Sequence, residues 1–208
     1  MKSVVVKLMI VGLLAGVVLA FCPLVMPLAN QALAPPVVKP LKPVLPPPGV
    51  KYLEKVEDLV FELTNQHRRA KSVAPLSKDD ELRDVARAYS NDMLVRRFFD
   101  HTTPDGVPYH RRISSNYRHW VRSIGENIWS AWGYKTSNAS SLAKEIVDDW
   151  LSSPGHRAIL LDPDFTHLGV GVSARNGTIL ATQEFVGKFK IFSQRELITP
   201  WLIKLNRL

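Results

Sequence analysis

The sequence predicts an α+β domain in which helices cover an antiparallel sheet. Two patterns carry this. Up to Trp150 the apolar residues recur mainly at helical spacing, and after Phe165 the period falls to two. Between two alternating runs stands Asn176-Gly177. That pair is the strongest short signal for a type I′ hairpin, whose two central residues both need positive φ.

The elements follow in order. From Tyr52 to about Arg69, Val56, Leu59, Val60 and Leu63 form a helical stripe. A loop with Ala74-Pro75-Leu76 follows. Ser77 or Asp79 can cap a second helix, because a short side-chain oxygen there accepts an orphan N–H of the first turn. Its stripe runs through Leu82, Val85, Ala86, Tyr89 and Met93 and ends near Phe98-Phe99. His101 comes just after, then the turn Pro104-Asp105-Gly106. Residues 107–122 are basic and aromatic and show no period. Ile124 to Trp129 reads as a short strand holding Glu126. Residues 139–151 form a third helix with Leu142, Ile146 and Trp150 on one face and Glu145 at its edge. Pro154-Gly155 stops that helix, and His156 starts the next turn. Leu168 to Val172 and Thr178 to Phe185 are the two strands of the hairpin.

Four regions are expected: 1–34, 35–50, 51–187 and 188–208. Leu8 to Ala29 carries no charge and is preceded by Lys2 and Lys7. A helix of that length rises about 33 Å, enough for a bilayer core of roughly 30 Å. The lysines place its N-terminal end in the cytoplasm. The segment reads as a single-pass membrane anchor or as a cleaved signal peptide, and either one exports the rest of the chain. Residues 35–50 are rich in proline, which fixes φ and lacks an N–H. They suit either an extended spacer of roughly 50 Å or a linker without a length requirement. In the tail 188–208, Trp201, Leu202, Ile203, Leu205 and Leu208 alternate with Lys204 and Arg207. This mixture suits a membrane interface or simple packing on the domain.

The chain carries a formal charge of +8 and a pI near 9.7. Such a balance favours anionic surfaces such as phospholipid headgroups or acidic wall polymers. Nucleic acid is a weaker reading: Arg68-Arg69, Arg96-Arg97 and Arg111-Arg112 are scattered among acids, with no recognition motif around them. The single cysteine, Cys22, lies in the apolar N-terminal run, so the domain has no internal disulfide and no thiolate chemistry. HExxH, GxSxG, Gly-rich phosphate loops and CxxC pairs are all absent.

Four residues sit in short segments that look built to hold them: His101 in FFDHTTPDG, Glu126 in SIGENIW, Glu145 in AKEIVDDW and His156 in SSPGHRAIL. Two imidazoles and two carboxylates can hold a divalent metal or move protons. Taken alone, His101 reads as a cation at a helix terminus and Glu145 as a solvated edge. Glu126 is different. An ionised carboxylate in an apolar strand is costly unless paired, so it must face a cleft or a partner.

Several motifs occur in a recognisable order. They are Asn65-x-x-Arg68, Ala74-Pro75-Leu76, Leu82 with Ala86-x-Ala88-Tyr89-Ser90, and then His101. Gly125-Glu126-Asn127, Trp150 with Ser153-Pro154-Gly155-His156-Arg157, Gly169-Val170-Gly171 and Thr182-Gln183-x-Phe185 follow. Over roughly residues 55–187 the chain resembles the CAP superfamily of cysteine-rich secretory, antigen 5 and pathogenesis-related proteins, in its bacterial SCP-domain form. The resemblance implies an α-β-α sandwich with a central antiparallel sheet and a cleft. There His101, Glu126, Glu145 and His156 would converge, with the histidines able to take zinc or a similar ion. The cysteines of the animal and plant branches are absent, so their roles transfer poorly.

Two functional classes stay open. One is an extracytoplasmic binding or interaction module whose cleft takes a lipid, a peptide or a wall fragment, with or without metal. The other is a hydrolase of such substrates, with a metal on His101 and His156 and Glu126 or Glu145 as general base.

Overall fold

The computed structural model of the chain describes residues 45–133 and 138–189. The expected anchor or signal peptide, residues 35–44 of the proline-rich stretch and residues 190–208 of the tail lie outside the described residues. Among the described residues no helix is long and apolar enough to cross a membrane. The elements are β1 (Lys51–Tyr52), α1 (Glu54–Ala70), β2 (Ser77–Lys78), α2 (Asp80–Arg96), α3 (Tyr109–Asn116), β3 (Val121–Ala131), α4 (Ala139–Ser152), α5 (Pro154–Leu160), β4 (His167–Arg175) and β5 (Thr178–Lys188).

Local chemistry sets most of the boundaries. The Asp79 carboxylate accepts the Leu82 N–H at 3.0 Å and opens α2. The helix stops at Arg97, which takes the left-handed conformation with φ 59°. Asn138 caps α4 by accepting the Ser140 N–H at 2.8 Å. Asn176 and Gly177 have φ of 50° and 76°, the signs a type I′ turn needs.

Three details differ from the sequence expectation. The stretch without a period holds α3, whose eight residues bury only Ile113, too few apolar positions to show a stripe. β3 extends beyond the apolar run at both ends, over 11 residues, because β5 offers a partner along its length. Pro154 stands at the first position of α5, where its fixed φ is favourable, so the Pro-Gly pair opens a helix as well as ending one.

The sheet is five-stranded, in the order β1-β4-β5-β3. Its pairings are antiparallel except for a short parallel contact of β2 with β4. Alternation on β5 divides the core. Ile179, Ala181 and Phe185 join Val60 of α1, Ile146 of α4 and Leu160 of α5 on one face. On the other, Leu180 packs with Tyr89 and Met93 of α2, and Val186 with Leu82 of α2 and Ile113 of α3. Two helical layers therefore enclose one sheet.

Buried polar groups lock the layers together. Glu57 of α1 accepts Arg87 Nε of α2 at 2.9 Å and the backbone N–H of Val172 on β4 at 3.0 Å. That N–H lies between the short β1 and β2 pairings, and the carboxylate satisfies it where no strand does. Arg68 at the end of α1 is fully buried and donates to carbonyl oxygens of Ala74 (2.8 Å), Leu160 (2.9 Å), Asp162 (3.0 Å) and Phe165 (3.3 Å).

Helix α2 rests directly on β4. A Cβ on Gly169 would lie 2.2 Å from the Leu82 carbonyl carbon, and one on Gly171 would lie 2.2 Å from the Arg87 nitrogen. Backbone meets backbone there, with no flexible side chain to yield. Gly169→Ala and Gly171→Ala are expected to cost about 3 kcal/mol or more each, at the upper end of overpacking effects. Gly155 has open space around its Cβ direction. Gly155→Ala, inside α5, should instead stabilise by roughly 0.5–1 kcal/mol. Urea denaturation midpoints of the three variants check both signs.

Candidate functional site

The site begins with strand register. β3 and β5 pair antiparallel with Glu126 opposite Glu184, and both carboxyl groups are fully shielded from solvent. Two acids at directly facing positions repel. Helix α3 supplies the cation that separates them. Arg112 Nη2 donates to Glu126 and lies 3.4 Å from Glu184 Oε1. The guanidinium plane lies over the Tyr89 ring, and Nη1 donates to the His101 carbonyl at 3.4 Å.

One arginine balances one carboxylate. Glu184 is therefore pushed well above the usual carboxylate range, first by complete burial and then by the Glu126 charge beside it. Both effects favour the neutral form of Glu184. Among the described residues, neither its Oε2 nor Arg112 Nε has a hydrogen-bond partner.

His101 reaches the same carboxylate from the loop after α2. Its Nδ1 lies 2.7 Å from Glu126 Oε1. Helix α2 positions the loop through the Tyr89 hydroxyl, which donates to the Asp100 carbonyl. The Thr102–Pro108 bridge and the Gly106 turn, with φ 79°, close the loop from the other side. The Glu126 bond raises the His101 pKa above the ordinary histidine value, against the effect of its partial burial. With Nδ1 committed to Glu126, Nε2 is the nitrogen left for a ligand.

His156 lies on α5. Asn127, next to Glu126 but on the opposite face of β3, donates to the His156 carbonyl at 3.2 Å and to Gln183 Oε1 at 3.3 Å. Gln183 in turn donates to Thr64 of α1 at 2.8 Å. The main chain thus places His156. Its pKa is lowered, first by burial and then by the His101 charge, which puts the two imidazoles within electrostatic reach of each other. Below α5, α4 is pinned to β3: Trp129 Nε1 donates to Asp149 at 2.7 Å and Trp150 Nε1 to the Ile128 carbonyl at 3.0 Å.

The four residues expected from sequence are therefore placed as follows. His101 and Glu126 are in direct contact, and His156 is close enough to feel the His101 charge. Glu145 stands on the exposed side of α4, one turn before Asp149. Among the described residues no three His, Cys, Asp or Glu side chains are grouped to hold a metal ion. Arg112 and Glu184 are additions that the sequence reading missed. Glu184 alternates with Thr182 and Val186 on the β5 face toward α2, a signal that acquires meaning only with the β3–β5 register. Arg112 sits on the helix that showed no period.

Two outcomes test this electrostatic arrangement. Arg112→Met leaves the Glu126 charge buried with much of its compensation gone and should destabilise by about 3–5 kcal/mol. Glu184→Gln, which mimics the neutral acid, should leave the urea midpoint close to wild type. For His101, histidine NMR titration should give a pKa above about 6.5, with Glu126→Gln bringing it down. A raised folded-state pKa means that the His101–Glu126 contribution to stability is complete below about pH 6.5 and is lost as the pH rises through the folded-state value. The stability difference between wild type and Glu126→Gln should shrink in that direction.

Comparisons with known proteins agree with this architecture. Protein YkwD of Bacillus subtilis (strain 168) is 41% identical over 133 residues, 64% of this chain and 47% of that one. A membrane protein of the same strain, YlbC, is 32% identical over 133 residues, 64% of this chain and 35% of that one. The chain thus spans less than half the length of either relative. Among solved structures, an extracellular SCP-domain protein from Bacillus anthracis str. Ames is 30% identical with a TM-score of 0.54, over 65% of this chain and 41% of that one. An outer surface protein from Borrelia burgdorferi has a TM-score of 0.58 at 19% identity, over 67% of this chain and 98% of that one, a likeness of fold alone. The profile of the cysteine-rich secretory protein family, CAP, matches residues 61–185, more than half of the sequence, and the chain belongs to that family.

Proposed function

We propose that the chain is an extracytoplasmic binding module whose His101–Glu126–His156 cleft takes a lipid, peptide or cell-wall ligand. A divalent ion such as zinc would bridge protein and ligand. The observation that carries this is the engagement of Glu126. Both of its oxygens are occupied, one by His101 and one by Arg112. A carboxylate so held orients an imidazole well and serves poorly as a general base. This favours binding over hydrolysis. It also fits a metal-ligand role for His101 through Nε2, because a carboxylate on the other ring nitrogen is the usual support of a ligating histidine.

His156 adds a second imidazole held toward its neutral, ligating form. Two protein nitrogens leave coordination positions for water or for an oxygen of the ligand. An ion there would polarise that oxygen. Glu145, on α4, completes the expected set as a contact for the ligand rather than for the ion. The location outside the cytoplasm is supported by Lys2, Lys7 and the uncharged run Leu8 to Ala29. It is supported too by the relatives, which include a membrane protein and an extracellular SCP-domain protein. The N-terminal segment brings the module to the membrane.

Zinc titration of the full chain by calorimetry tests the reading. Binding should be seen for wild type, weaken at least tenfold in His101→Ala and in His156→Ala, and persist in His119→Ala. Equal affinity of wild type and the first two variants removes the metal. Retention of the chain on peptidoglycan or lipid, lost in the same two variants, would identify the ligand class.

A further inference from the structure

A second feature lies at the end of the sheet where β4 turns into β5. There, a hollow of about 440 Å³ is lined by Phe99, Trp132, Arg97 and Arg175 above a floor that includes Leu94 and Leu180. Large apolar groups at its rim face solvent: Trp132 is 70% exposed and Phe99 44%. Among the described residues no carboxylate lines it. Neither arginine has an ion-pair partner among the described residues, whereas neighbouring Arg96 is paired with Asp92 and Asp105. Exposed tryptophan beside unpaired guanidinium groups is the composition of a headgroup-level surface: the ring prefers the interface and the cations meet lipid phosphates.

The path of the chain points to the same occupant. Val50, the last residue before β1, is buried in one cluster with Met93, Leu94, Leu180 and Phe98, residues that also line the hollow. The polypeptide arriving from the uncharged N-terminal run therefore enters the domain beside this face. The opposite end of β5, at Lys188, pairs with Val121, so the C-terminal tail departs from the far end of the sheet.

We propose that the Phe99–Trp132–Arg97–Arg175 face docks on the surface of an anionic phospholipid bilayer. The His101–Glu126 cleft shares the loop after α2 with Arg97 and Phe99, but neither His101 nor Glu126 lines the hollow. Docking would fix the orientation in which the cleft is presented. The proposal rests on the anchored reading of residues 1–34 and goes beyond the cleft function.

The test uses the full chain reconstituted into vesicles of phosphatidylglycerol and phosphatidylcholine, or of phosphatidylcholine alone, with brominated acyl chains as a tryptophan quencher. The Trp132 contribution is read as the difference between wild type and Trp132→Phe. We expect that difference to show quenching in anionic vesicles, and to vanish in phosphatidylcholine, in molar salt and in Arg97→Glu/Arg175→Glu protein. Vesicle flotation separates the two readings. Failure to float with either lipid overturns the anchor and the docking together. Flotation without Trp132 quenching overturns the docking alone. Quenching of equal size in both lipids and in the charge-reversed variant also overturns it, because the arginines would then have no part. Quenching that emerges only when residues 190–208 are deleted would make the tail the occupant of this face, and likewise overturns the proposal.

Discussion

The direct seating of α2 on β4 is the constraint on which the site depends. Gly169 and Gly171 remove the side chains that would hold helix and strand apart. The closeness is then fixed by polar contacts. The Ser90 hydroxyl donates to the Gly171 carbonyl at 3.0 Å and lies 2.9 Å from Thr182 Oγ1. Tyr89, its neighbour, presents one ring face to Arg112 and its hydroxyl to the loop that carries His101. A helix one side-chain layer higher would lift both contacts. The family's Gly-x-Gly strand is thus part of the site's geometry although neither glycine touches the cleft.

On that platform the charges settle by burial and number. Two carboxyl groups and one guanidinium share a space closed to water, and His101 reaches it from the rim. The cation and Glu126 form the closer pair, and burial beside that charge pushes Glu184 toward its neutral form. His101 then gains a carboxylate whose direction is set by the strand below it and the arginine beside it. Rigidity in Glu126 becomes orientation in His101. His156 is held by different means, through its own carbonyl and the Asn127–Gln183–Thr64 chain on the other face of the sheet. The two imidazoles are positioned independently, one by charge and one by amide hydrogen bonds.

The legible parts of the sequence were those in which one residue type has one physical use. Asp79 could cap α2, Asn176-Gly177 could close a hairpin, and Leu142, Ile146 and Trp150 could face a core, and each does so. Glu126 announced a partner because a charge inside an apolar strand demands one. What stayed hidden needed register or tertiary contact. Arg112 lies on a helix whose only deeply buried residue is Ile113, so no stripe could mark it. Glu184 looks like any acid near the end of an alternating run until β3 is laid beside β5. Glu145 shows the reverse: a motif position is readable from the family's order, but its exposed place on α4 follows from how that helix rolls against Trp129.

Arg68 has a consequence for the order in which the chain can acquire its structure. Its guanidinium is met by main-chain carbonyls 6, 92, 94 and 97 residues away in sequence. A cation cannot enter an apolar interior before its acceptors are present. The first helix therefore cannot close on the domain until the loop ending at Phe165 has arrived, and contacts of that separation form slowly. A polypeptide threaded through a pore from its N-terminus would remain unlocked for most of its passage. It would acquire its final core only when the last strands emerge.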